Sequence, residues 1–113
     1  MRKFEEDKIQ EAIIVAIRYL YPKSIIAAVP NGGMRNLMEA VRFKRQRVLA
    51  GFADLIFLHK GECIFFEVKA LKGKQTENQI AFETNVKSQG FKYYVVKSVE
   101  EVLNIIVEIS TLN

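Results

Sequence analysis

The sequence predicts an α/β domain in which helices pack on one small mixed β-sheet. Three observations favour this class: helix-period apolar spacing near the N-terminus, short apolar runs rich in β-branched and aromatic residues, and turn residues between these runs. Helix and strand patterns alternate along the chain in the order α-β-α-β-β-α-β-α. A length of 113 residues, half of them apolar, suits one domain that spans 1–113.

The N-terminal half contains two predicted helices and the first predicted strand. Residues 4–20 predict a helix because their apolar residues recur at three- and four-residue spacing. The run SIIAAV at 24–29 predicts a short strand, and the following residues 30–33 predict a turn or loop. A second helix, with most of its charges directed outward, is predicted over 36–47, and Gly51 is expected to break it.

The C-terminal half contains the remaining elements. Two short runs at 54–58 and 63–69 predict the strands of a hairpin, and both are apolar on both faces, which favours a central, covered position. A helix over 76–88 and a strand over 91–97 follow, so a right-handed crossover is expected. The last helix, predicted over 98–110, begins with a capping box in which Ser and Glu stand three residues apart.

Positive charge is concentrated in two segments of the chain. The net charge is +4, and residues 35–47 alone carry five basic residues against one acid. A concentrated basic surface suits a polyanion such as nucleic acid, although a solvated helix face explains the charge equally well. The basic residues of the two segments are Arg35, Arg42, Lys44, Arg45, Arg47, Lys69, Lys72 and Lys74.

Neither export nor membrane insertion is predicted. The N-terminal segment lacks an apolar signal core, and every apolar run is far shorter than the ~20 residues of a membrane-spanning helix. Cys63 is the single cysteine, so no internal disulfide can form, and its strand position predicts a small buried hydrophobe. These features predict a cytoplasmic protein.

Each strand of the hairpin carries an acid where a buried strand should have none. If Lys60 and Gly61 form a two-residue turn, Asp54 lies directly opposite Glu67, with Cβ atoms roughly 4.5–5.5 Å apart. Lys69 lies on the same face as Glu67, because side chains alternate along a strand. A three-residue turn with a bulge is the alternative, and it would disrupt this pairing.

Two carboxylates on one face of a covered sheet predict a divalent metal site. Buried charges need partners, and oxygen ligands favour Mg²⁺ or Mn²⁺ over zinc. A neighbouring ammonium from Lys69 can orient an attacking water or stabilise developing charge, which suits phosphodiester hydrolysis. The alternative is structural: Asp54 ends a strand at the surface, and Glu67 forms an ion pair with Lys69.

An ordered set of segments resembles the VRR-NUC family of the PD-(D/E)xK nuclease superfamily, in its small, stand-alone phage or bacterial form. The segments are VPNGGMR (29–35), LAGFADLIF (49–57), FFEVKALKGKQTENQ (65–79) and GFKYYVVKSVEEV (90–102). The resemblance implies a restriction-endonuclease-like core and covers nearly the whole chain. One departure is Ala53, where the family usually has proline before the catalytic Asp; proline stiffens φ there and is no ligand.

The resemblance also implies roles for residues around the hairpin acids. Gln79 resembles a helical glutamine beside the family's site, although the spacing Thr76-x-x-Gln79 is itself a capping box. The implied metal ligands are Asp54, Glu67 and the carbonyl of Val68, and the implied catalytic lysine is Lys69.

The family places a further acid in its first helix. Glu6 is the stronger choice because it shares an apolar stripe with Ile9, whereas Glu11 lies on a flank; the alternative for both is a solvated surface residue. Asn31 and Arg35, near the loop after the first strand, are candidate DNA contacts. An exposed arginine at a helix start is the equally good alternative for Arg35.

These observations predict a Mg²⁺- or Mn²⁺-dependent DNA endonuclease in the cytoplasm of a bacterial or phage-infected cell. The resemblance implies a homodimer that cuts branched DNA such as Holliday junctions, because symmetric cutting of two strands needs two sites. Flap or nicking activity is an alternative specificity. A non-catalytic nucleic-acid-binding module on the same fold and a protein-interaction domain are the alternative functions.

Overall fold

The computed structural model describes residues 2–30, 41–42, 44–47 and 49–112. Asn31, Arg35 and much of the predicted helix 36–47 therefore lie outside the described residues. The described elements, in chain order, are α1 (Arg2–Leu20), β1 (Ile25–Ala28), β2 (Leu55–His59), β3 (Glu62–Val68), α2 (Glu77–Ser88), β4 (Lys92–Val96) and α3 (Val99–Leu112).

The described strands form one four-stranded mixed sheet in the order β1-β2-β3-β4. The pairs β1/β2 and β2/β3 are antiparallel, whereas β3 and β4 are parallel and are connected through α2. The predicted α/β class and mixed sheet are confirmed. The predicted central position of β2 and β3 is confirmed, because they are the two inner strands. The predicted cover is incomplete on β2, where Leu58 is 38% exposed.

The hairpin between β2 and β3 has the predicted two-residue turn. Lys60 and Gly61 have φ angles of 48° and 82°, and two successive positive φ values are typical of a type I′ turn. The strand pairs on either side of the turn run from His59↔Glu62 to Leu55↔Phe66. This register is the predicted one, so the bulged alternative does not apply. One further step along the ladder brings Asp54 opposite Glu67.

Helices pack on both faces of the sheet. In the described part of the chain, no helix is long and apolar enough to cross a membrane. Helices α1 and α3 cover one face, where fully buried residues such as Phe57 and Phe66 each contribute about 1.5–3 kcal/mol. Helix α2 packs on the other face through Phe82, against Phe65 and Tyr93. Because side chains alternate, the hairpin acids lie on this α2 face.

The charged segment before β2 ends earlier than predicted. Residues 41–42 and 44–45 are helical, and the next two residues form a turn in which Arg47 has φ 57°. This left-handed conformation ends the helical segment, because the chain direction changes there. The prediction that Gly51 breaks the helix is therefore wrong.

The cap of α3 also differs from its prediction. The Ser98 side chain accepts a hydrogen bond from Glu101 N at 3.2 Å, as expected. The Glu101 carboxylate, however, accepts from Lys97 N at 2.6 Å, one residue before the partner that a capping box requires. The remaining predicted bounds differ from the observed ones by one or two residues, the usual uncertainty of helix and strand ends.

Gly51 has a different role, which is close approach to α2. Its φ is 79°, and a Cβ atom on it would lie 2.3 Å from Asn78 O in the first turn of that helix. Only glycine tolerates both this conformation and this contact. The loop that leads into β2 is thereby packed directly on the N-terminal turn of α2.

We expect Gly51→Ala to lower the free energy of unfolding by about 3 kcal/mol, because the added methyl group must displace the first turn of α2. Gly90→Ala is the matched control: Gly90 has φ 88°, but no atom lies within 4 Å of the added Cβ. Gly90→Ala should lower the free energy of unfolding by only about 1 kcal/mol. Chemical denaturation measures both, and equal losses would contradict the close approach.

Candidate functional site

Asp54, the residue directly before β2, is held by main-chain groups of two neighbouring strands. Its carboxylate Oδ2 accepts a hydrogen bond from Val68 N at 2.8 Å. Its carbonyl accepts from Val29 N at 2.8 Å. In an extended strand the N–H and C=O of one residue point to the same side, so the Val68 carbonyl also faces the Asp54 side.

Glu67 is an acid buried within the sheet, with 1% of its surface exposed. Its Oε2 accepts a hydrogen bond from Gln79 Nε2 at 2.8 Å and lies 3.7 Å from Lys69 Nζ. Its Oε1 is buried and has no hydrogen-bond donor. A buried carboxylate oxygen without a donor is costly, and it marks a position where a cation or a proton is needed.

The two carboxyl groups influence each other strongly. Burial, followed by the charge of Asp54, raises the pKa of Glu67 to about 8. Burial also raises the pKa of Asp54, although the hydrogen bond from Val68 N opposes the rise. The side chains are in hydrogen-bonding contact, so a proton on one is shared with the other. The pair therefore behaves as one unit that retains a proton near neutral pH.

Lys69 follows β3 directly and is buried, with 7% of its surface exposed. Its main-chain N donates to Val96 O at 2.9 Å, which extends the parallel ladder beyond the end of β3. At 3.7 Å its ammonium forms an ion pair with Glu67 without a close hydrogen bond. The ammonium is therefore held beside the acids and keeps donor capacity for another group.

Gln79 acts both as a cap and as a contact to the acids, the two roles that the sequence left open. Its Oε1 accepts from Thr76 N at 2.9 Å, and its main-chain N donates to Thr76 Oγ1 at 3.2 Å, which completes a capping box. Its Nε2 donates to Glu67 Oε2. One amide side chain thus ties the start of α2 to the buried acid.

Glu6 of α1 contacts the turn that follows Lys69. Its Oε2 accepts from Ala70 N at 3.2 Å and lies against Gly73, where a Cβ would be 3.1 Å away. Its charge contributes to the raised pKa values of both hairpin acids, whereas Glu11 is exposed. Across the described residues, no three His, Cys, Asp or Glu side chains form a metal-binding group. A metal-binding role for Glu6 stays a prediction.

The donor set fits a hard divalent cation. Two carboxylates meet in one buried place, one of their oxygens lacks a donor, and the Val68 carbonyl faces the same side. All of these donors are oxygens, which suit Mg²⁺ or Mn²⁺. The cation would replace the shared proton as the partner of the buried oxygen.

A polar network beside the acids was not predicted from the sequence. Gln75 Nε2 donates to Glu83 Oε1 at 2.9 Å and lies 3.3 Å from the Tyr93 hydroxyl. Burial, and then the charge of Glu67, raises the pKa of Tyr93. The available signal was an inward-facing tyrosine in a strand, because a buried phenol needs a hydrogen-bond partner.

Apart from Lys69, the basic residues that the sequence analysis selected and the structure describes lie at the surface. Lys72 and Lys74 are exposed and flank Gly73 in the connection after Lys69, so positive charge borders the acids. Lys97, which the sequence analysis did not select, joins them by donating to Leu71 O at 2.6 Å. The basic residues of the earlier segment, also exposed, are Arg42, Lys44, Arg45 and Arg47. DNA contacts by all of these residues stay predictions.

Stability of the metal-free protein should fall as pH rises. The pKa of Glu67 in the fold, about 8, is above its ordinary value of 4.5, so folding favours the protonated form. This stabilisation is complete below pH 4.5 and is lost progressively as pH rises to about 8. We expect the melting temperature in EDTA to decline across this window, and Mg²⁺ to raise it more at pH 8 than at pH 5.5.

Glu67→Gln should remove that pH dependence and raise the metal-free melting temperature at pH 8. The amide can accept from Gln79 and donate to Asp54 without carrying charge. Asp54→Asn should likewise raise stability in EDTA, by relieving the repulsion between the acids. Glu108→Gln, at an exposed position in α3, is the matched control and should retain the wild-type decline. A flat wild-type profile would contradict the shared proton.

Variants at the two ends of the capping box should separate the two roles of Gln79. Thr76→Ala removes only the cap bond from Gln79 N to Thr76 Oγ1 and should cost about 1 kcal/mol. Gln79→Ala removes the other cap bond, from Thr76 N to Gln79 Oε1, together with the donor to Glu67, and should cost about 1 kcal/mol more. Because that donor stabilises the Glu67 anion, its loss should move the stability decline to higher pH, whereas Thr76→Ala should leave the decline in place. Identical pH profiles would assign Gln79 to the cap alone.

Comparison with known proteins supports the fold. No protein-family model matches the sequence, and a search of curated proteins finds no match. Among solved structures, a "VRR_NUC domain protein" superposes with TM-score 0.70 at 22% identity, over 91% of this chain and 85% of that chain. A structure described as "VRR_NUC domain" superposes with TM-score 0.64 at 20% identity, over 90% and 94%. The chain therefore has the fold of these solved VRR-NUC domains, and its mixed sheet flanked by helices is consistent with the restriction-endonuclease-like core that the resemblance implies.

Proposed function

We propose that this chain is a divalent-metal-dependent nuclease that hydrolyses phosphodiester bonds in DNA. The observation that carries the proposal is the buried Glu67 carboxylate, which touches Asp54, has one oxygen without a donor and lies 3.7 Å from the ammonium of Lys69. The likeness to solved VRR-NUC domains supports this chemistry. A purely structural ion pair would not require the second acid.

Mg²⁺ or Mn²⁺ is the proposed cofactor, and Asp54, Glu67 and the Val68 carbonyl would hold it. When bound, the ion would polarise the phosphate and lower the pKa of a coordinated water. Glu6 stands at the edge of this set, where its bond to Ala70 N fixes the turn that follows the lysine.

The side chains around the acids would orient the substrate and stabilise charge. Lys69 is fixed at the end of β3, so its ammonium can hold the nucleophile and stabilise negative charge that develops on the phosphate. Gln79 holds one oxygen of Glu67, which keeps the other oxygen directed to the position beside Asp54. Preorganisation of this kind lowers the reorganisation needed during the reaction.

The proposal extends to branched DNA, such as Holliday junctions, cut by a homodimer. One chain offers one acid pair, and two symmetric cuts need two pairs related by a two-fold axis. The exposed basic residues on either side of the hairpin suit phosphate contacts, which position DNA without reading its sequence. Recognition of DNA shape is consistent with this distribution.

We expect the purified protein to cleave DNA with Mg²⁺ or Mn²⁺ and not with EDTA. Labelled four-way junction, flap, nicked, single-stranded and linear duplex DNA should be compared, and the junction should be cut fastest, in paired positions. Lys69→Ala should lower the rate by at least about 100-fold, because it removes the charge beside the phosphate, and should still bind the junction.

Lys23→Ala is the matched control, because Lys23 is exposed near the hairpin end of the sheet, away from the acids. Its rate should stay within about twofold of wild type, since surface substitutions usually have small effects. If flaps or nicked DNA are cut faster than the junction, those structures are the preferred substrates and the junction proposal is wrong. Binding of the junction without cleavage under any metal would instead identify a non-catalytic nucleic-acid-binding module.

A further inference from the structure

An apolar groove of about 480 Å³ runs along α2 on the same sheet face as the acids. Three aromatic rings line its floor: Phe52 lies 4.5 Å from Phe82 between ring centroids, and Phe65 lies 5.7 Å from each of them. Phe91, whose surface is 50% exposed, contacts Phe65 from the rim at 6.3 Å. The volume is within the range of small-molecule sites, roughly 300–1,000 Å³.

The rim of the groove is polar without being charged. Asn78 and Asn85 of α2, and Gln89 directly after its end, are exposed and recur at helical spacing. Each ends in an amide, which both donates and accepts hydrogen bonds. No charged side chain is among the described residues that line the groove. The groove is therefore a poor place for a phosphate and a good place for a flat, partly polar ring.

The groove lies beside the acids, on the same face of the sheet. Phe65 precedes Glu67 by two residues on the same strand face, a separation of roughly 6.6 Å, or about two base steps of duplex DNA. Asn78 precedes Gln79, whose side chain contacts Glu67. If a phosphate of a DNA strand lies at the acids, a base one or two nucleotides away along that DNA strand therefore lies beside the groove.

We propose that the groove receives one unpaired nucleobase of the DNA strand whose phosphate lies at the acids. This inference rests on the proposed nuclease function and adds a feature of its substrate. Aromatic side chains stack on bases of any sequence, and amide side chains satisfy the hydrogen-bonding edges of an unpaired base. A base that is still paired and stacked cannot enter without being extruded from the duplex, which costs free energy.

A base in the groove would give the chain a means of selecting open DNA without reading its sequence. Flap bases and bulges present unpaired bases beside a phosphate, whereas regular duplex does not. The basic residues attract every DNA equally well, because phosphate contacts carry no sequence information. Selection follows from the base in the groove.

The test is a double-mutant cycle on binding, measured in EDTA so that no cleavage occurs. Fluorescently labelled duplexes carry one unpaired base, or an abasic nucleotide at the same position. Wild-type protein should bind the DNA with the base about tenfold more tightly than the abasic DNA, since that difference is typical of one stacked base. An unpaired 5-iodouracil at the same position should photocrosslink to a peptide containing Phe52 or Phe91.

Phe91→Ala removes a half-exposed ring of the groove and should reduce the tenfold preference to about twofold. Asn85→Ala, at an exposed position, is the second variant and should weaken the preference less. Tyr19→Ala is the matched control, because Tyr19 is 83% exposed on α1 and outside the groove, so it should keep the full preference. Thermal melts of all variants should confirm that they are folded.

The other outcomes are separable. Tight binding without any preference for the base over the abasic nucleotide would overturn this inference and leave the nuclease proposal standing. No binding to any DNA would overturn both. If Phe91→Ala turns a dimer into a monomer by sedimentation while the base preference is unchanged, the groove is an interface between copies of the chain, and the inference is wrong.

Discussion

The structure depends on the burial of two carboxyl groups against each other in a largely apolar sheet. Glu67 is nearly inaccessible to water, and Asp54 touches it across the hairpin. Such a pair is stable only when its oxygens have donors, cations or a shared proton. The neighbouring elements supply these partners. Strand β3 supplies the main-chain N–H of Val68, helix α2 supplies the amide of Gln79, and the residue after β3 supplies the ammonium of Lys69. The surrounding chain is organised around this need.

The path of the chain follows from the same constraint. Helix α2 must bring Gln79 to Glu67, so its first turn lies directly on the loop before β2, where only Gly51 leaves enough room. Helix α1 must bring Glu6 to the turn after Lys69, and Gly73 provides that space. These two glycines therefore leave room for the contacts that position Gln79 and Glu6 beside the acids.

Local rules were sufficient to predict the hairpin and its acids, because a Lys-Gly turn and side-chain alternation fix which residues face each other. They were not sufficient for Gln79, because one amide satisfies the cap and the acid at once. The network of Gln75, Glu83 and Tyr93 joins residues up to 18 positions apart, and no local period encodes it. The end of the charged helical segment was mispredicted because a non-glycine residue, Arg47, adopts the left-handed conformation.

Stability and function oppose each other at the acid pair. A proton makes the metal-free pair tolerable, and it also occupies the position that the proposed cation would take. That cation would have to displace the proton, so its binding would be coupled to proton release and favoured as the pair loses its proton. Replacing one acid by its amide would satisfy every oxygen without a cation and would give a more stable protein. That the chain keeps both acids, with one buried oxygen lacking a donor, is therefore best explained by a ligand that supplies positive charge.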